Sequence, residues 1–150
     1  MKRMIALLVS AVMCLSSCGA VLDNLNEEAE ITEKAVFGDY TLVLGEGEVK
    51  YSDIYDKDFL IVHAVFTNAG EPEYAYACFA VRAFQNDVGL DLYDGTVCDV
   101  DTNLTTEIRN GASLNVAYCF PIEDMSEVEV IVGSPTADRI TIGKKVYKLS

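Results

Sequence analysis

Positive charge and histidine are both scarce in this chain of 150 residues. It has 11 lysines and arginines against 24 aspartates and glutamates, which gives a formal net charge of −13. Because nucleic-acid binding depends on lysine and arginine contacts to phosphate, this balance argues against a nucleic-acid partner. The single histidine, His63, would have to serve any mechanism that needs an imidazole.

The chain also lacks a hydrophobic run long enough to cross a bilayer and the short motifs that mark common catalytic sites. The apolar stretch 4–15 is interrupted only by Ser10. It is shorter than the roughly 20 residues that a membrane-spanning helix needs. No Gly-x-Ser-x-Gly, His-Glu-x-x-His or glycine-rich phosphate loop occurs. We therefore expect a protein that is not an enzyme.

The N-terminus does contain a targeting signal. Lys2 and Arg3 precede the apolar stretch, which ends in Leu-Ser-Ser-Cys at residues 15–18, the pattern of a bacterial lipobox. Small residues before the cysteine suit a signal peptidase, and the thiol of Cys18 is the group that carries the lipid. We predict a lipoprotein signal peptide over residues 1–17 and a lipid anchor on Cys18. The protein would then sit on the extracytoplasmic face of the cell membrane.

Residues 18–37 are predicted to be the lipidated cysteine followed by an acidic linker. Between residues 19 and 36 there are five carboxylates and one lysine, with no apolar period long enough for a packed helix. A short helix around residues 26–35 stays open as an alternative. As a flexible coil this segment would span roughly 25 Å, enough to lift a domain of residues 38–150 off the membrane.

Three cysteines belong to the predicted mature domain. Cys14 leaves with the signal peptide and Cys18 is lipidated, which leaves Cys78, Cys98 and Cys119. In an exported domain they allow one disulfide in any of three pairings, or three buried free thiols. Because no Cys-x-x-Cys pair is present, metal ligation is disfavoured. We expect no cofactor.

From residue 40 onward the sequence alternates apolar and polar residues between turn signals. The predicted strands are 40–44, 59–67, 76–85, 104–108, 113–120 and 128–132, followed by a hairpin over 140–149 that turns at Gly143-Lys144. The stretch 59–67 is almost continuously apolar, which indicates a central strand or one covered on both faces. Asn86-Asp87 suits a tight turn with positive φ. About seven or eight short strands at this spacing predict an all-β, immunoglobulin-like antiparallel β-sandwich.

Because carboxylates are calcium ligands, a calcium site is the first metal site to consider in an acidic chain. Residues 99–103 match the first three ligand positions of an EF-hand loop, but Leu104 takes the glycine position and Asn110 the position of the bidentate glutamate. Residues 53–58 form a second acidic cluster. Plain solvated loops are the expectation for both, and a calcium site built from separate loops stays open.

His63 lies inside the most apolar predicted strand. A histidine packed in a sheet and satisfied by one hydrogen bond is the commoner arrangement. The alternative is a Cys/His enzyme that pairs His63 with Cys78 or Cys119. No local sequence motif indicates that His63 lies close to either cysteine.

Several short matches in a fixed order resemble a known family. Residues 65–71 read Val-Phe-Thr-Asn-Ala-Gly-Glu and resemble the Phe-Thr-Asn-x-x-Glu end of that family's second strand. Residues 81–86 resemble its Ala-Phe-Gln-Asn-Gly strand end, and residues 110–112, 116–118 and 128–130 resemble its closing section. The family is a domain of unknown function found in secreted lipoproteins of Gram-positive bacteria. Its members are immunoglobulin-like and similar in fold to the mycobacterial immunoprotective extracellular antigen.

The resemblance covers about residues 38–132. Asp87 stands where the family usually has glycine. The resemblance implies the fold and the exported location, and it brings no catalytic or binding residues.

These features together predict a lipid-anchored surface domain that binds an extracellular protein or glycan. The contact would use loops at one end or an exposed sheet edge. The alternative is an exported protease-inhibitor-like domain. It would present residues 71–73 or 134–136, where a proline pre-orders extended backbone.

Overall fold

A computed structural model describes residues 30–150. The predicted signal peptide, the lipidation site Cys18 and residues 19–29 of the predicted linker lie outside the described residues. Within residues 30–150 no helix is both long and apolar enough to cross a membrane.

Eight strands, one short α-helix and one 3-10 helix make up the described part of the chain. In chain order they are β1 (Lys34–Phe37), β2 (Tyr40–Ser52), β3 (Lys57–Asn68), α1 (Ala75–Cys78), β4 (Ala80–Gln85), β5 (Val88–Leu90), the 3-10 helix (Gly95–Cys98), β6 (Ser113–Pro121), β7 (Val128–Gly133) and β8 (Thr141–Tyr147).

The strands form two antiparallel sheets of four strands each. The first sheet has the order β1-β2-β3-β6 and the second the order β5-β4-β7-β8. The inner faces of both sheets meet in one apolar core, to which Phe66, Tyr118, Phe120 and Val130 all belong. The predicted all-β sandwich is therefore confirmed.

β3 is central in its sheet, as its apolar run predicted, because β2 and β6 flank it. Its inward side chains belong to the main core. The outward residues Phe59 and Ile61 are also fully buried, in a second cluster on the outer face of the sheet. Farther along the strand, Val65 is 40% exposed on the same outer face. Only the first half of β3 is covered on both sides.

The predicted strand 76–85 begins later than expected. Residues Ala75–Cys78 form one helical turn, and Phe79 returns to extended backbone before β4. Ala75 and Cys78 are three residues apart and both buried, so one helical turn places both on the core side. Tyr76 stays 63% exposed.

The predicted strand 104–108 is not present. Leu104 and Ile108 are buried, but they anchor an irregular connection to the main core. Ile108 makes only an isolated bridge to Glu73. The apolar residues at positions 104 and 108 are therefore spaced for burial in the core, and the segment between them has no neighbouring strand to pair with.

The predicted hairpin over 140–149 is wrong, because Gly143 and Lys144 lie inside the single strand β8. A Cβ atom on Gly143 would lie 2.8 Å from the Cβ of Ala35. Glycine therefore permits a close approach of β1 to β8 and does not mark a turn.

Residues 34–37, which fall inside the predicted linker, form β1 and pair with β2. The main chain just before β1 is also bonded, since Leu44 N–H donates to Glu33 O at 2.9 Å and Lys144 N–H donates to Thr32 O at 2.8 Å. The helix considered around residues 26–35 is not formed over the described residues 30–35.

Candidate functional site

A buried amide holds each end of the sandwich. Asn68, at the end of β3, is fully buried. Its Nδ2 donates to Glu71 O at 2.7 Å and to Ile108 O at 2.9 Å, and its Oδ1 accepts from Gly70 N–H at 2.7 Å. Two connections are therefore fixed to β3 through one side chain.

Gln85, the last residue of β4, plays the same role at the other end of the sandwich. Its Nε2 donates to Asp124 O at 2.9 Å and to Ser126 O at 3.1 Å, and its Oε1 accepts from Glu123 N–H at 2.8 Å. These bonds hold the connection between β6 and β7 against the second sheet. Both amides belong to the strand ends on which the family resemblance rests, so those motifs are structural.

The turn between β4 and β5 confirms the prediction for Asn86-Asp87. Both residues have positive φ, at 50° and 63°, and Gln85 pairs directly with Val88. Positive φ at both central positions is the two-residue hairpin geometry that matches strand twist. Aspartate adopts it at residue 87, where glycine is usual in the family.

Next to this turn lies the end cleft, a cavity of about 470 Å³. Tyr55, Phe59 and Tyr93 form its aromatic wall, with ring centroids 5.3 to 6.1 Å apart and edge-to-face geometry. The turn between β2 and β3 supplies Tyr55, and the connection after β5 supplies Tyr93. Phe59 is fully buried while Tyr55 is 50% exposed, so the aromatic wall runs from the interior to solvent.

The rim of the end cleft is polar. Lys57 Nζ and Glu123 Oε1 are 2.6 Å apart, and Asn86 and Asp91 also line the opening. Amphipathic rings beside amide, carboxylate and ammonium groups form a surface that can stack on a ligand and hydrogen-bond its edges. Tyrosines in loops, such as Tyr55 and Tyr93, are recognisable from the sequence as contact area, whereas nothing in the sequence marks Lys57, Phe59 or Glu123 as parts of one site.

A covering segment (residues 91–103) supplies Tyr93 to this wall and covers the outer face of the first sheet beside the first half of β3. Tyr93 N–H donates to Cys119 O at 2.9 Å, and Ala117 N–H donates to Thr102 O at 3.0 Å. The segment therefore satisfies main-chain groups on the free edge of β6, which would otherwise invite pairing with another chain. Inside the segment, Val97 O accepts from the buried hydroxyl of Ser52 at 2.5 Å.

His63 is not packed as the sequence predicted. Its side chain is 50% exposed on the outer face of β3, and its Nε2 lies 3.1 Å from Glu48 Oε1. The outer face is open at this position because the covering segment reaches only the first half of β3. Glu48 is its only side-chain hydrogen-bond partner within residues 30–150.

The three cysteines of the domain are free thiols, and all three are buried. Cys98 and Cys119 belong to the cluster under the covering segment, whereas Cys78 belongs to the main core. Burial raises the pKa of Cys119 to about 11 and the pKa of Cys78 to about 11. A thiolate nucleophile requires the opposite shift.

Three carboxylates of the acidic loops accept hydrogen bonds from groups close to them in the chain. Asp94 accepts from Thr96 N–H at 2.9 Å, which lowers the pKa of Asp94. Asp101 accepts from Asn103 N–H at 3.3 Å, and Asp56 accepts from the hydroxyl of Tyr51. Over residues 30–150 no group of three or more histidine, cysteine or acidic side chains is placed to hold a metal ion.

The two segments considered for protease inhibition are each anchored at one residue, while Glu71, Pro72, Pro135 and Thr136 are exposed. Glu73 exchanges two main-chain hydrogen bonds with Ile108, at 3.2 and 3.0 Å. Ser134 is buried and its hydroxyl bonds Thr136 Oγ1 at 2.6 Å. Glu73 and Ser134 are thus tied by their main chain to neighbouring connections.

Solved structures of Gram-positive proteins have a similar fold. A "putative lipoprotein" of Staphylococcus aureus aligns with a TM-score of 0.60 at 10% identity, over 79% of this chain and 90% of that chain. The "putative lipoprotein" ycdA of Bacillus subtilis gives a TM-score of 0.57 at 12% identity, over 81% of this chain but 39% of that chain. The yjhA protein of B. subtilis gives 0.50 at 16% identity, over 80% and 98%. At such identities the likeness concerns the fold.

The family itself is identified by sequence. The model of the domain of unknown function DUF5067 matches residues 17–134, more than half of the chain, so the chain belongs to this family. The predicted resemblance to such a family is thereby confirmed. A search of curated proteins gives no significant match.

Proposed function

We propose that this protein is a lipid-anchored binding module on the extracytoplasmic face of the cell membrane, and that the end cleft binds part of an extracellular protein or glycan. The observation that carries the proposal is the aromatic wall of Tyr55, Phe59 and Tyr93 beside a polar rim. Tyrosine rings provide large, rigid contact area at low entropic cost, which makes them frequent anchors of binding sites.

The fold supports a rigid, pre-formed site. Gln85 fixes the connection that carries Glu123, and Tyr93 is held by a main-chain bond to Cys119. A ligand therefore meets groups that are already ordered, so little conformational entropy is lost on binding. Contact by an ordered cleft, without a reactive group, is the mode of action that we infer.

Attachment through Cys18 is the second part of the proposal. The lipobox at residues 15–18 and the lipoprotein names of two structural neighbours support it. A chain with a formal net charge of −13 is repelled by anionic headgroups, so an acyl anchor has to supply the membrane affinity. Mass spectrometry of the native protein should find an acylated N-terminal cysteine, and Cys18→Ser should abolish it. An intact first methionine without acyl chains would contradict this part.

Catalysis by a Cys/His pair is the disfavoured alternative. β6 places Ala117 opposite His63, so Cys119 shares the outer face of the first sheet with the imidazole. Cys119 is nevertheless fully buried, and His63 is bonded to Glu48. A protonated thiol under the covering segment supports a packing role for Cys119.

The end cleft is tested with the full chain purified in mild detergent. Glycan arrays and extracellular protein panels are probed with the wild type, Tyr55→Ala and Tyr74→Ala. Tyr74 is 37% exposed and does not line the end cleft, which makes it the matched control. Y55A should lower the affinity for any ligand that the wild type retains by at least about tenfold, and Y74A should leave that affinity unchanged. Equal binding by Y55A and the wild type would remove the end cleft from the proposal, and no retained ligand at all would overturn the binding function.

A further inference from the structure

An unpaired strand edge forms part of the end cleft. β5 is the outermost strand of the second sheet and pairs on one side only, with β4. Val88, Gly89 and Leu90 all line the end cleft, together with Tyr55 and Phe59 of the aromatic wall. Because glycine has no side chain, the surface that Gly89 contributes to the cleft is main chain.

The hairpin between β4 and β5 fixes which main-chain groups lie on this edge. Gln85 and Val88 flank the two-residue turn, and the residues that close such a turn form a hydrogen-bonded pair. Opposite residues alternate between hydrogen-bonded and non-hydrogen-bonded pairs along an antiparallel ladder. Phe84 and Gly89, the next pair, are therefore not bonded to each other. The N–H and C=O of Gly89 point away from β4, toward the free edge.

Other sheet edges of the described residues are bonded to further parts of the chain. The covering segment bonds the edge of β6, and Lys144 N–H donates to Thr32 O at 2.8 Å where β8 approaches the start of β1. Within residues 30–150, the main chain of residues 88–91 makes no hydrogen bond except to β4, and Gly89 is exposed. An exposed edge with unpaired N–H and C=O groups is a template for an added strand.

The charges around the edge select the partner. Asp87 and Asp91 flank β5, and neither belongs to an ion pair within residues 30–150. Lys57 is the only basic residue among those that line the end cleft, and it is paired with Glu123. An incoming strand with a lysine or arginine is therefore favoured. A second copy of this chain, with the same carboxylates and a formal net charge of −13, is repelled.

We propose that an extended segment of an extracellular protein adds to β5 as a fifth strand of the second sheet. Its main chain bonds to Gly89, an aromatic or aliphatic side chain contacts the aromatic wall, and a basic side chain lies near Asp91. Main-chain bonds supply affinity in this mode of recognition, and alternate side chains supply specificity. The inference rests on the binding function proposed for the end cleft and specifies the ligand as a peptide.

Hydrogen exchange of the free full chain, resolved by nuclear magnetic resonance, tests the geometry of the edge. The amides of Val88 and Leu90 donate to β4, whereas that of Gly89 faces solvent. The protection factor of Gly89 should therefore be at least about tenfold lower than those of Val88 and Leu90. A Gly89 amide as well protected as that of Leu90 would overturn the proposal.

A phage library of linear heptapeptides, selected on the full chain, supplies the peptide probes. Gly89→Pro removes the N–H that faces the free edge and no bond to β4, a position that proline tolerates in an edge strand. Gly89→Ala is the matched control, because it keeps the N–H and its Cβ meets nothing closer than 3.7 Å. G89P should lower the affinity for a selected peptide by at least about fivefold, and G89A should leave it unchanged. Equal affinities of the two variants would contradict strand addition.

N-methylated analogues of a selected peptide repeat the test without a change in the protein. Alternate peptide groups of an added strand face its neighbour. Methylation of one alternate set of amides should therefore abolish binding, and methylation of the complementary set should not. The same effect from both sets would sink the proposal.

The outcomes separate this proposal from the binding function on which it rests. Peptides that bind Y55A weakly but G89P as tightly as G89A would keep the end cleft as the site and exclude strand addition. A glycan retained on the array, with no peptide selected, would also keep the cleft and overturn the assignment to peptide. Selected peptides rich in acidic residues would overturn the charge complementarity. The absence of any ligand of either class would overturn both proposals.

Discussion

Replacing Asn68 by alanine tests whether one buried amide holds an end of the sandwich. Its side chain is fully buried and makes three hydrogen bonds, to the main chain of Gly70, Glu71 and Ile108. Asn68→Ala removes all three bonds at once and leaves Gly70 N–H without its acceptor, while Glu71 O keeps the Tyr40 hydroxyl and Ile108 O keeps Glu73 N–H as donors.

The expected magnitude follows from those bonds. A buried hydrogen bond contributes about 1 kcal/mol net, so three of them predict a loss of about 3 kcal/mol in the free energy of unfolding. This is a large part of the roughly 5–15 kcal/mol that stabilises an ordinary domain. Equilibrium unfolding in urea, followed by circular dichroism and extrapolated linearly to water, measures the loss.

Asn110→Ala is the matched control. Asn110 is exposed, and its Nδ2 donates a single hydrogen bond to Ala69 O at 3.0 Å, so N110A should lose less than about 1 kcal/mol. Asn68→Asp should lose at least as much as N68A at neutral pH, because a carboxylate cannot donate to the carbonyls of Glu71 and Ile108. An N68A loss no larger than that of N110A would refute the reasoning.

Three further predictions concern the covering segment, the thiols and the acid limit of stability. Gly95→Ala should cost more than about 2 kcal/mol, because its Cβ would collide with the main chain that follows. Gly89→Ala, whose Cβ meets nothing closer than 3.7 Å, should change stability by less than about 1 kcal/mol in urea unfolding. Burial raises the pKa of Cys119 to about 11, so iodoacetamide at about pH 8 should label it at least tenfold more slowly folded than unfolded; equal rates by peptide mass spectrometry would contradict its burial. Ser126 donates to Asp124 and lowers its pKa, so this stabilisation is present above the unfolded pKa and disappears as pH falls below about 4. In Asp124→Asn the free energy of unfolding should therefore fall less steeply as the pH is lowered below about 4. The same pH dependence in the variant and the wild type would count against this role of Asp124.

The sequence predicts the fold well where burial and periodicity agree. β3 is an apolar run and β7 alternates valines, and both are strands with these residues in the core. Gly143 is an example that the sequence alone does not resolve. Glycine in a strand pattern is compatible with a turn or with a close approach of two backbones, and only the position of Ala35, more than 100 residues earlier in the chain, decides between them.

The candidate site is harder to predict because its parts are distant in sequence. Tyr55 and Tyr93 come from different connections, and only the path of the covering segment brings their rings together. Asn68 and Gln85 could have been found from the sequence. Each is a polar residue in phase with the inward positions of its strand, placed at the strand end, which is where a side chain can reach neighbouring connections.

Arg82 and Tyr118 illustrate a different limit. An arginine at an alternate position of a strand reads as an outward, solvated charge, and a tyrosine in phase with Val116 and Phe120 reads as core. Both readings are correct for the direction of the side chain. Neither anticipates that both residues line one cavity of about 330 Å³, because that requires the relative position of the two sheets.

Asn68 and Gln85 recognise only peptide groups, so the identity of the side chains in the connections they fasten is immaterial to them. Residues in those connections can change through mutation while the ends of the sandwich keep their outline. One scaffold can thus display many different contact surfaces to the outside world. A library randomised in residues 69–73 or 123–127, with both amides retained, is the natural starting point for giving this domain a new ligand.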